Sequence, residues 1–198
     1  MTSPGSATGP DTGLGRLWAG WRGAYVAGTV DADRAGTTGD YQAAEAVGGP
    51  LGPGQVDACV LCRVTSPANE DEAANVVRRG EYCVAILNAY PYTSGHLMVL
   101  PSRHVGELED LGVEESAELW EMTRRGVAAL KSAYTPGGVN VGANLGRAAG
   151  AGVPGHLHMH ALPRWDGDTN FMTTVAETRV LPEALGDTWA RLRSAWPS

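Results

Sequence analysis

The run His156-Leu157-His158-Met159-His160 is the most informative stretch of this chain. Three histidines alternate with apolar residues, and successive side chains of a β-strand point to opposite faces. The alternation predicts a strand with three imidazoles on one face and apolar side chains on the other. Unpaired imidazoles are costly to remove from water. We therefore expect this face to supply metal ligands, a nucleophile or a proton donor, which are roles that imidazole fills in proteins.

The remaining histidines and a cysteine pair indicate a metal site. The other two of the 5 histidines lie in one segment, residues 95–104, which reads GHLMVLPSRH. Cys59 and Cys62 form a CxxC pair, and a total of 3 cysteines argues against a disulfide framework. Structural zinc takes thiolate and imidazole ligands in a tetrahedron, so a second ligand pair would come from the two histidine segments. The alternative is that both cysteines are small buried residues beside the sheet.

The histidine run also suits nucleophilic catalysis. A neutral imidazole attacks phosphorus well and leaves well, which favours two-step phosphoryl or nucleotidyl transfer. His158, at the centre, is the natural nucleophile, and His160 is its positive or proton-donating neighbour. The preceding loop is rich in glycine, and Gly150 and Gly152 are predicted to bring backbone N–H groups close to a phosphate. Asn144, like Asn88, stands beside an apolar run and is either an ordinary strand-end residue or a ligand contact.

Composition excludes several partners. The chain has 198 residues, a formal net charge of -7 and no block of Lys and Arg, which argues against nucleic-acid binding. No apolar run reaches about 18 residues, so no membrane span is expected. The N-terminal residues 1–15 lack the basic start and apolar stretch of a signal peptide. A cytoplasmic protein without a membrane or nucleic-acid partner is the expectation.

The order of predicted elements indicates an α+β fold with an antiparallel sheet. We predict a disordered tail over residues 1–13, a docking segment over 14–26, a Gly-rich irregular linker over 27–56 and one domain over 57–198. Trp120 is predicted to lie on the apolar stripe of the long helix. Residues 69–79 are predicted to be a loop or short helix. Strands are predicted over 80–87, 96–101, 139–145, 155–162 and 171–175, and helices over 114–134 and 182–195.

Several motifs resemble the histidine triad (HIT) superfamily. The run HLHMHAL over residues 156–162 is similar to the signature of that superfamily, and residues 95–104 are similar to its upstream segment. The CxxC pair resembles the zinc half-site of a subset of members. Within the superfamily the likeness is greatest to bacterial HIT-type diadenosine tetraphosphate phosphorylases. That likeness is carried by residues 16–18, 88–92, 107–111, 140–146 and 163–171.

This resemblance implies a fold, an assembly and a set of site residues. The implied fold is a HIT-like α+β domain with a five-stranded antiparallel sheet and two main helices, in a two-fold homodimer. The implied substrate is a small-molecule nucleotide, the implied metal is structural Zn²⁺, and no organic cofactor is implied. His96 would be a structural or hydrogen-bonding residue. The implied roles are nucleophile for His158, phosphate contact for His160, phosphate or leaving-group contact for Asn144, ribose contact for Asn88, and zinc ligands for Cys59, Cys62, His104 and His156.

One departure from the family pattern bears on the reaction. Members usually carry Gln or Ser three or four residues before the first triad histidine, where this chain has Gly152 and Val153. The expected reaction is phosphorolysis of diadenosine tetraphosphate to ATP and ADP through a nucleotidyl-histidine at His158. The alternatives are a hydrolase or a nucleotidyltransferase acting on another adenosine nucleotide, such as adenylyl sulfate or a phosphoramidate. A non-catalytic nucleotide sensor and a zinc-stabilised interaction module are the further alternatives.

Overall fold

The computed structural model describes residues 59–168 and 183–198. Predictions for residues 1–13, 14–26, 27–56 and 171–175 therefore lie outside the described residues. Within them, no helix is both long and apolar enough to cross a membrane. The elements in chain order are α1 (Val60–Thr65), β1 (Val76–Arg79), β2 (Cys83–Leu87), β3 (Leu97–Pro101), α2 (Val113–Tyr134), β4 (Gly138–Ala143), β5 (Met159–Arg164) and α3 (Leu185–Ala195), with 3-10 turns at Leu108–Asp110 and Arg147–Ala149.

The strands form one five-stranded antiparallel sheet in the order β1-β2-β3-β5-β4, which confirms the predicted fold class. The last strand, β5, lies between β3 and β4, so that His160 pairs with Met98 on one side and Gly142 on the other. This position places the histidine run inside the sheet, where neighbouring strands on both sides fix its register.

The two faces of the sheet carry different cores. On one face Leu157 and Ala161 pack in a cluster with residues of α2 and α3, and Met159 packs against this cluster. On the other face Met98 lies in a second cluster with residues of α1. The apolar residues of the histidine run thus face the main core, as the alternation predicts, and the histidines lie on the α1 side.

The strand β1 was not predicted. Val76–Arg79 falls within the range expected to be a loop or short helix. With only two apolar residues followed by two arginines it carries no alternating pattern. Tertiary contacts complete the strand instead: β1 pairs with β2 through an irregular register, and the Trp189 indole donates a 2.8 Å hydrogen bond to the carbonyl of Val76.

The buried face of α2 includes Thr123 and Leu130 of the predicted stripe but differs from it at Trp120. Trp120 is 63% exposed, and the helix instead buries a face that includes Leu119, Gly126 and Ala129. A Cβ at Gly126 would lie 2.5 Å from Leu97 Cδ2, so the absence of a side chain lets the helix approach the sheet. The prediction favoured the largest apolar residue, whereas small residues form the closest contact.

Candidate active site and metal centre

Three separate segments bring together four thiol and imidazole side chains. Cys59 precedes α1 and Cys62 lies in its first turn, His104 follows β3, and His156 precedes β5. Their ligand atoms all lie within 4.8 Å of one another. The CxxC pair therefore meets one histidine from each histidine segment. We call these four residues the metal cluster.

The distances within the metal cluster fit a tetrahedral ion. Cys59 Sγ and Cys62 Sγ each lie 3.5 Å from His156 Nδ1, and Cys62 Sγ lies 3.2 Å from His104 Nδ1. A tetrahedron with metal–sulfur bonds of about 2.3 Å and metal–nitrogen bonds of about 2.0 Å has sulfur–nitrogen edges of about 3.5 Å. The group can therefore hold a metal ion.

Hydrogen bonds and burial prepare Cys59, His104 and His156 to bind a cation, whereas the hydrogen bond with Cys59 and burial raise the pKa of Cys62. His156 Nε2 donates a 2.9 Å hydrogen bond to the carbonyl of Pro101, which leaves the Nδ1 lone pair directed at the thiols. The hydrogen bond from Cys62, with the nearby His156 ring, lowers the pKa of Cys59 well below that of a free thiol. Burial lowers the pKa of His104. Neutral imidazole and thiolate are the forms that bind metal.

A cavity of about 800 Å³ lies on the same face of the sheet. Its volume lies within the usual range for small-molecule sites, about 300–1,000 Å³. Every residue predicted to bind nucleotide or act in catalysis lines it: Asn88, Asn144, Gly150, Gly152, His158 and His160. The remaining wall is largely apolar and includes Val60, Val64, Ile86, Leu87 and Met98.

The sequence interpretation missed other residues of this wall. Asn75 and Tyr90 line the cavity, as do side chains of α1. Asn75 follows a charged stretch without alternation, so the sequence gives no indication that it faces a cavity. Tyr90 was treated as part of a turn, and it is 75% exposed at the cavity.

His158 presents an unprotonated nitrogen to the cavity. Its Nδ1 lies 2.7 Å from the carbonyl oxygen of His156, and a carbonyl only accepts, so Nδ1 carries the proton and donates. The Nε2 atom of the neutral ring then keeps its lone pair. Burial lowers the pKa of His158, so the neutral ring persists at neutral pH. A nitrogen lone pair beside a cavity can act as a nucleophile.

A chain of hydrogen bonds sets the opposite tautomer in His160. The backbone N–H of Tyr92 donates to His96 Nδ1 at 3.1 Å, so a neutral His96 carries its proton on Nε2. His96 Nε2 lies 2.9 Å from His160 Nδ1 and donates to it. The proton of a neutral His160 is then on Nε2. His96, which is 1% exposed, is therefore a hydrogen-bonding partner of the third triad histidine.

The loop between β4 and β5 is held by its own hydrogen bonds. Gly146 and Gly150 flank the 3-10 turn with φ values of 76° and 89°, a backbone region that favours glycine. The N–H of Gly150 donates to the carbonyl of Arg147 and that of Ala151 to the carbonyl of Gly146. Asn144 Nδ2 lies 3.5 Å from the carbonyl of Gly150. Gly150 therefore lines the cavity with its N–H already engaged within the turn.

Comparison with known proteins identifies the family. The model of the HIT domain matches residues 69–167, half of the chain. The chain belongs to the HIT domain family. It is 48% identical over 130 residues to a protein of Mycobacterium tuberculosis named AP-4-A phosphorylase, a match that covers 66% of this chain and 67% of that protein. The prediction of a HIT-family enzyme is confirmed by this match.

Solved structures agree with this assignment to the HIT family. A Zn-bound histidine triad family protein from Mycobacterium smegmatis aligns with a TM-score of 0.57 and 28% identity, covering 71% of this chain and 94% of that one. A hypothetical histidine triad nucleotide-binding protein from Sulfolobus tokodaii aligns with a TM-score of 0.56 and 27% identity, covering 69% of this chain and 91% of that one. The HIT-like fold is thereby confirmed, while the role of each site residue stays a prediction.

Proposed function

We propose that this HIT enzyme processes nucleotides, and that its reaction is phosphorolysis of diadenosine tetraphosphate to ATP and ADP. The observation that carries the proposal is the hydrogen bond from His158 Nδ1 to the carbonyl of His156, which leaves Nε2 as a nucleophile beside a cavity of nucleotide size. The 48% identity to a protein named AP-4-A phosphorylase supports the choice of substrate.

The reaction takes two displacements at one phosphorus atom. In the first, His158 Nε2 bonds to the α-phosphorus and the bond to the bridging oxygen breaks, so that ATP leaves and an adenylyl-histidine forms. In the second, an oxygen of inorganic phosphate bonds to the same phosphorus, the nitrogen–phosphorus bond breaks, and ADP leaves. The His156 carbonyl stabilises the positive charge that the His158 ring gains when it is adenylylated.

The neighbouring side chains bind and orient the substrate in this proposal. His160 donates from Nε2 to a phosphate oxygen, and the chain through His96 keeps the proton on that atom. Asn144 contacts the phosphate or leaving group, and Asn88 contacts the ribose. The apolar wall formed by α1 and β2 receives the base.

The metal cluster is proposed to hold a structural Zn²⁺. Cys59, Cys62, His104 and His156 are the ligands, and their spacing supports the choice of a tetrahedral ion. Bound zinc would cross-link the segments that carry its ligands. It would supply no chemistry at the phosphate, because protein side chains occupy all four ligand positions and leave none open for substrate. By tying α1 and the end of β3 to the segment that precedes β5, the cluster fixes the carbonyl that His158 needs.

A two-fold homodimer is the proposed assembly. The strand β4 is at the edge of the sheet, and Val141 on it is 42% exposed. An exposed edge strand with an apolar residue is a surface that pairing with a second copy would cover. Sedimentation of the purified protein at two concentrations tests the dimer. Location in the cytoplasm and the lack of an organic cofactor stay sequence predictions.

Product analysis tests the proposed reaction. The purified chain is incubated with diadenosine tetraphosphate, with and without inorganic phosphate. The nucleotides are then separated by chromatography and identified by mass spectrometry. We expect ATP and ADP, and only when phosphate is present. AMP and ATP in both conditions would make the chain a hydrolase, and no turnover would overturn the choice of substrate.

One observation favours a different acceptor as the second candidate. Val153, where family members carry a polar residue, packs against the apolar cluster on the α1 side of the sheet. That part of the cavity wall therefore offers no side-chain hydrogen bond to inorganic phosphate. If the adenylyl-histidine forms but phosphate does not release it, amines and sulfate are the acceptors to assay.

A further inference from the structure

Asn75 has a left-handed backbone conformation, which glycine and asparagine adopt more readily than other residues. Its φ is 56°, in the left-handed region, where it ends the turn that precedes β1. The N–H of Asn75 donates to the carbonyl of Glu72 at 3.0 Å, and the N–H of Val76 donates to the carbonyl of Asp71 at 2.7 Å. This pair of hydrogen bonds ends helical turns, and glycine is the usual residue at the left-handed position. The turn therefore accepts either glycine or asparagine at position 75, and it does not require the carboxamide.

The side chain of Asn75 is available to a ligand. Asn75 is half-buried and lines the cavity, and no residue in the described ranges forms a hydrogen bond with its carboxamide. Its carbonyl accepts a 2.9 Å hydrogen bond from the N–H of Leu87, which places Asn75 beside the end of β2 and close to Asn88. The neighbouring wall is apolar, with Ile86 and Leu87. A ligand that covered this carboxamide without pairing with it would leave a costly unsatisfied polar group.

We propose that Asn75 recognises the base of the bound nucleotide and selects adenine over guanine. This inference rests on the nucleotide binding in the proposed function, and it adds the residue that sets base preference. A carboxamide offers an acceptor oxygen and a donor NH₂ side by side. Adenine offers the matching pair, the N6 amino donor and the N7 acceptor, whereas guanine offers two acceptors, O6 and N7, along the same edge. Guanine would therefore leave the carboxamide oxygen unpaired.

The substitution Asn75→Gly separates the side chain from the backbone. Glycine adopts a φ of 56° without strain, so the turn is kept and the melting temperature should be equal or higher. Binding of AMP and of GMP to the full chain is measured by titration calorimetry. We expect the wild type to bind AMP about tenfold more tightly than GMP, and Asn75→Gly to bind both equally.

A second carboxamide on the same wall provides the matched control. Asn88 is proposed to contact the ribose, which AMP and GMP share. Asn88→Ala should therefore weaken the binding of both nucleotides by the same factor and leave the ratio of the two affinities unchanged. Equal affinities in the wild type, or an adenine preference that survives in Asn75→Gly, would overturn the role of Asn75.

The binding measurement does not depend on turnover. If diadenosine tetraphosphate is not cleaved but AMP is preferred and Asn75→Gly abolishes the preference, the proposed reaction fails and the role of Asn75 stands. If the reaction proceeds and the preference is absent, the reaction stands and the role of Asn75 fails. Failure of the wild type to bind either nucleotide overturns the role of Asn75, and product analysis then decides the reaction by itself.

Discussion

His156 and His158 are two residues apart, both are buried, and their hydrogen bonds are reversed. His156 donates from Nε2 to the carbonyl of Pro101 and turns Nδ1 towards the metal cluster. His158 donates from Nδ1 to the carbonyl of His156, which leaves Nε2 with its lone pair at the cavity. The carbonyl that each ring meets, and not the residue type, therefore decides which nitrogen is available and for what chemistry. It also couples the two regions, because the carbonyl that orients His158 belongs to a residue of the metal cluster.

Loss of the His158 side chain should have the greatest effect on activity. His158→Ala removes the proposed nucleophile, so we expect turnover of diadenosine tetraphosphate to fall by at least about 1,000-fold. The metal cluster does not use this side chain, so the metal content measured by mass spectrometry should be unchanged. Turnover within tenfold of the wild type would contradict the covalent mechanism.

Removing a thiol from the metal cluster should affect both the cluster and the catalytic residues at the cavity. Cys59→Ser takes away a buried side chain of the proposed ligand set, so we expect loss of bound metal and a decrease in the free energy of unfolding of about 3 kcal/mol or more. Turnover should fall too, since the carbonyl of His156 loses its fixed position. Cys83→Ala is the matched control: Cys83 is buried in β2 outside the metal cluster, and its thiol packs in the main core and donates a hydrogen bond to the carbonyl of Glu115. That variant should keep its metal, and full metal content in Cys59→Ser would remove Cys59 from the ligand set.

The sequence predicted the histidine strand at the cavity and the metal cluster on different grounds. The alternation in residues 156–160 indicates which side chains share a face, because strand geometry has a strict period of two. The meeting of the CxxC pair with His104 and His156 followed from the family resemblance. The hydrogen bonds that assign each nitrogen were not predictable, since they depend on carbonyls such as that of Pro101, 55 positions away in sequence.

Contacts made across the fold account for the remaining differences. The strand Val76–Arg79 has no alternating pattern and depends on pairing with β2 and on the distant indole of Trp189. Trp120 was expected in the core, but the close approach of α2 to the sheet takes place at Gly126. Nothing in the sequence around Asn75 indicates that its backbone is left-handed or that it lies at the cavity.

Two substitutions at His96 test whether its hydrogen bond orients His160. The Asn side chain reaches as far as Nδ1 of histidine, so His96→Asn should keep the hydrogen bond from Tyr92 and lose the one to His160. We expect turnover to fall about 10- to 100-fold because His160 is no longer held in one orientation and tautomer. The Gln side chain reaches as far as Nε2, so His96→Gln should recover part of the activity. Metal content should be the same in both variants, and equal turnover in both would argue against orientation through this chain.

The smallest expected effect concerns Asn144, at the end of β4. Its contact with the carbonyl of Gly150 is long, at 3.5 Å, and the side chain is half-buried, so Asn144→Ala should change the free energy of unfolding by less than about 0.5 kcal/mol. The kcat/KM for diadenosine tetraphosphate should nevertheless fall about tenfold, because a hydrogen bond to the phosphate or leaving group is lost. Asn140→Ala is the control on the same strand, since Asn140 is exposed and accepts a hydrogen bond from Arg164. We expect Asn144→Ala to lose activity without losing stability, and Asn140→Ala to keep full activity. This result would place Asn144 with His158 and His160 among the catalytic residues and leave the structural role to the metal cluster.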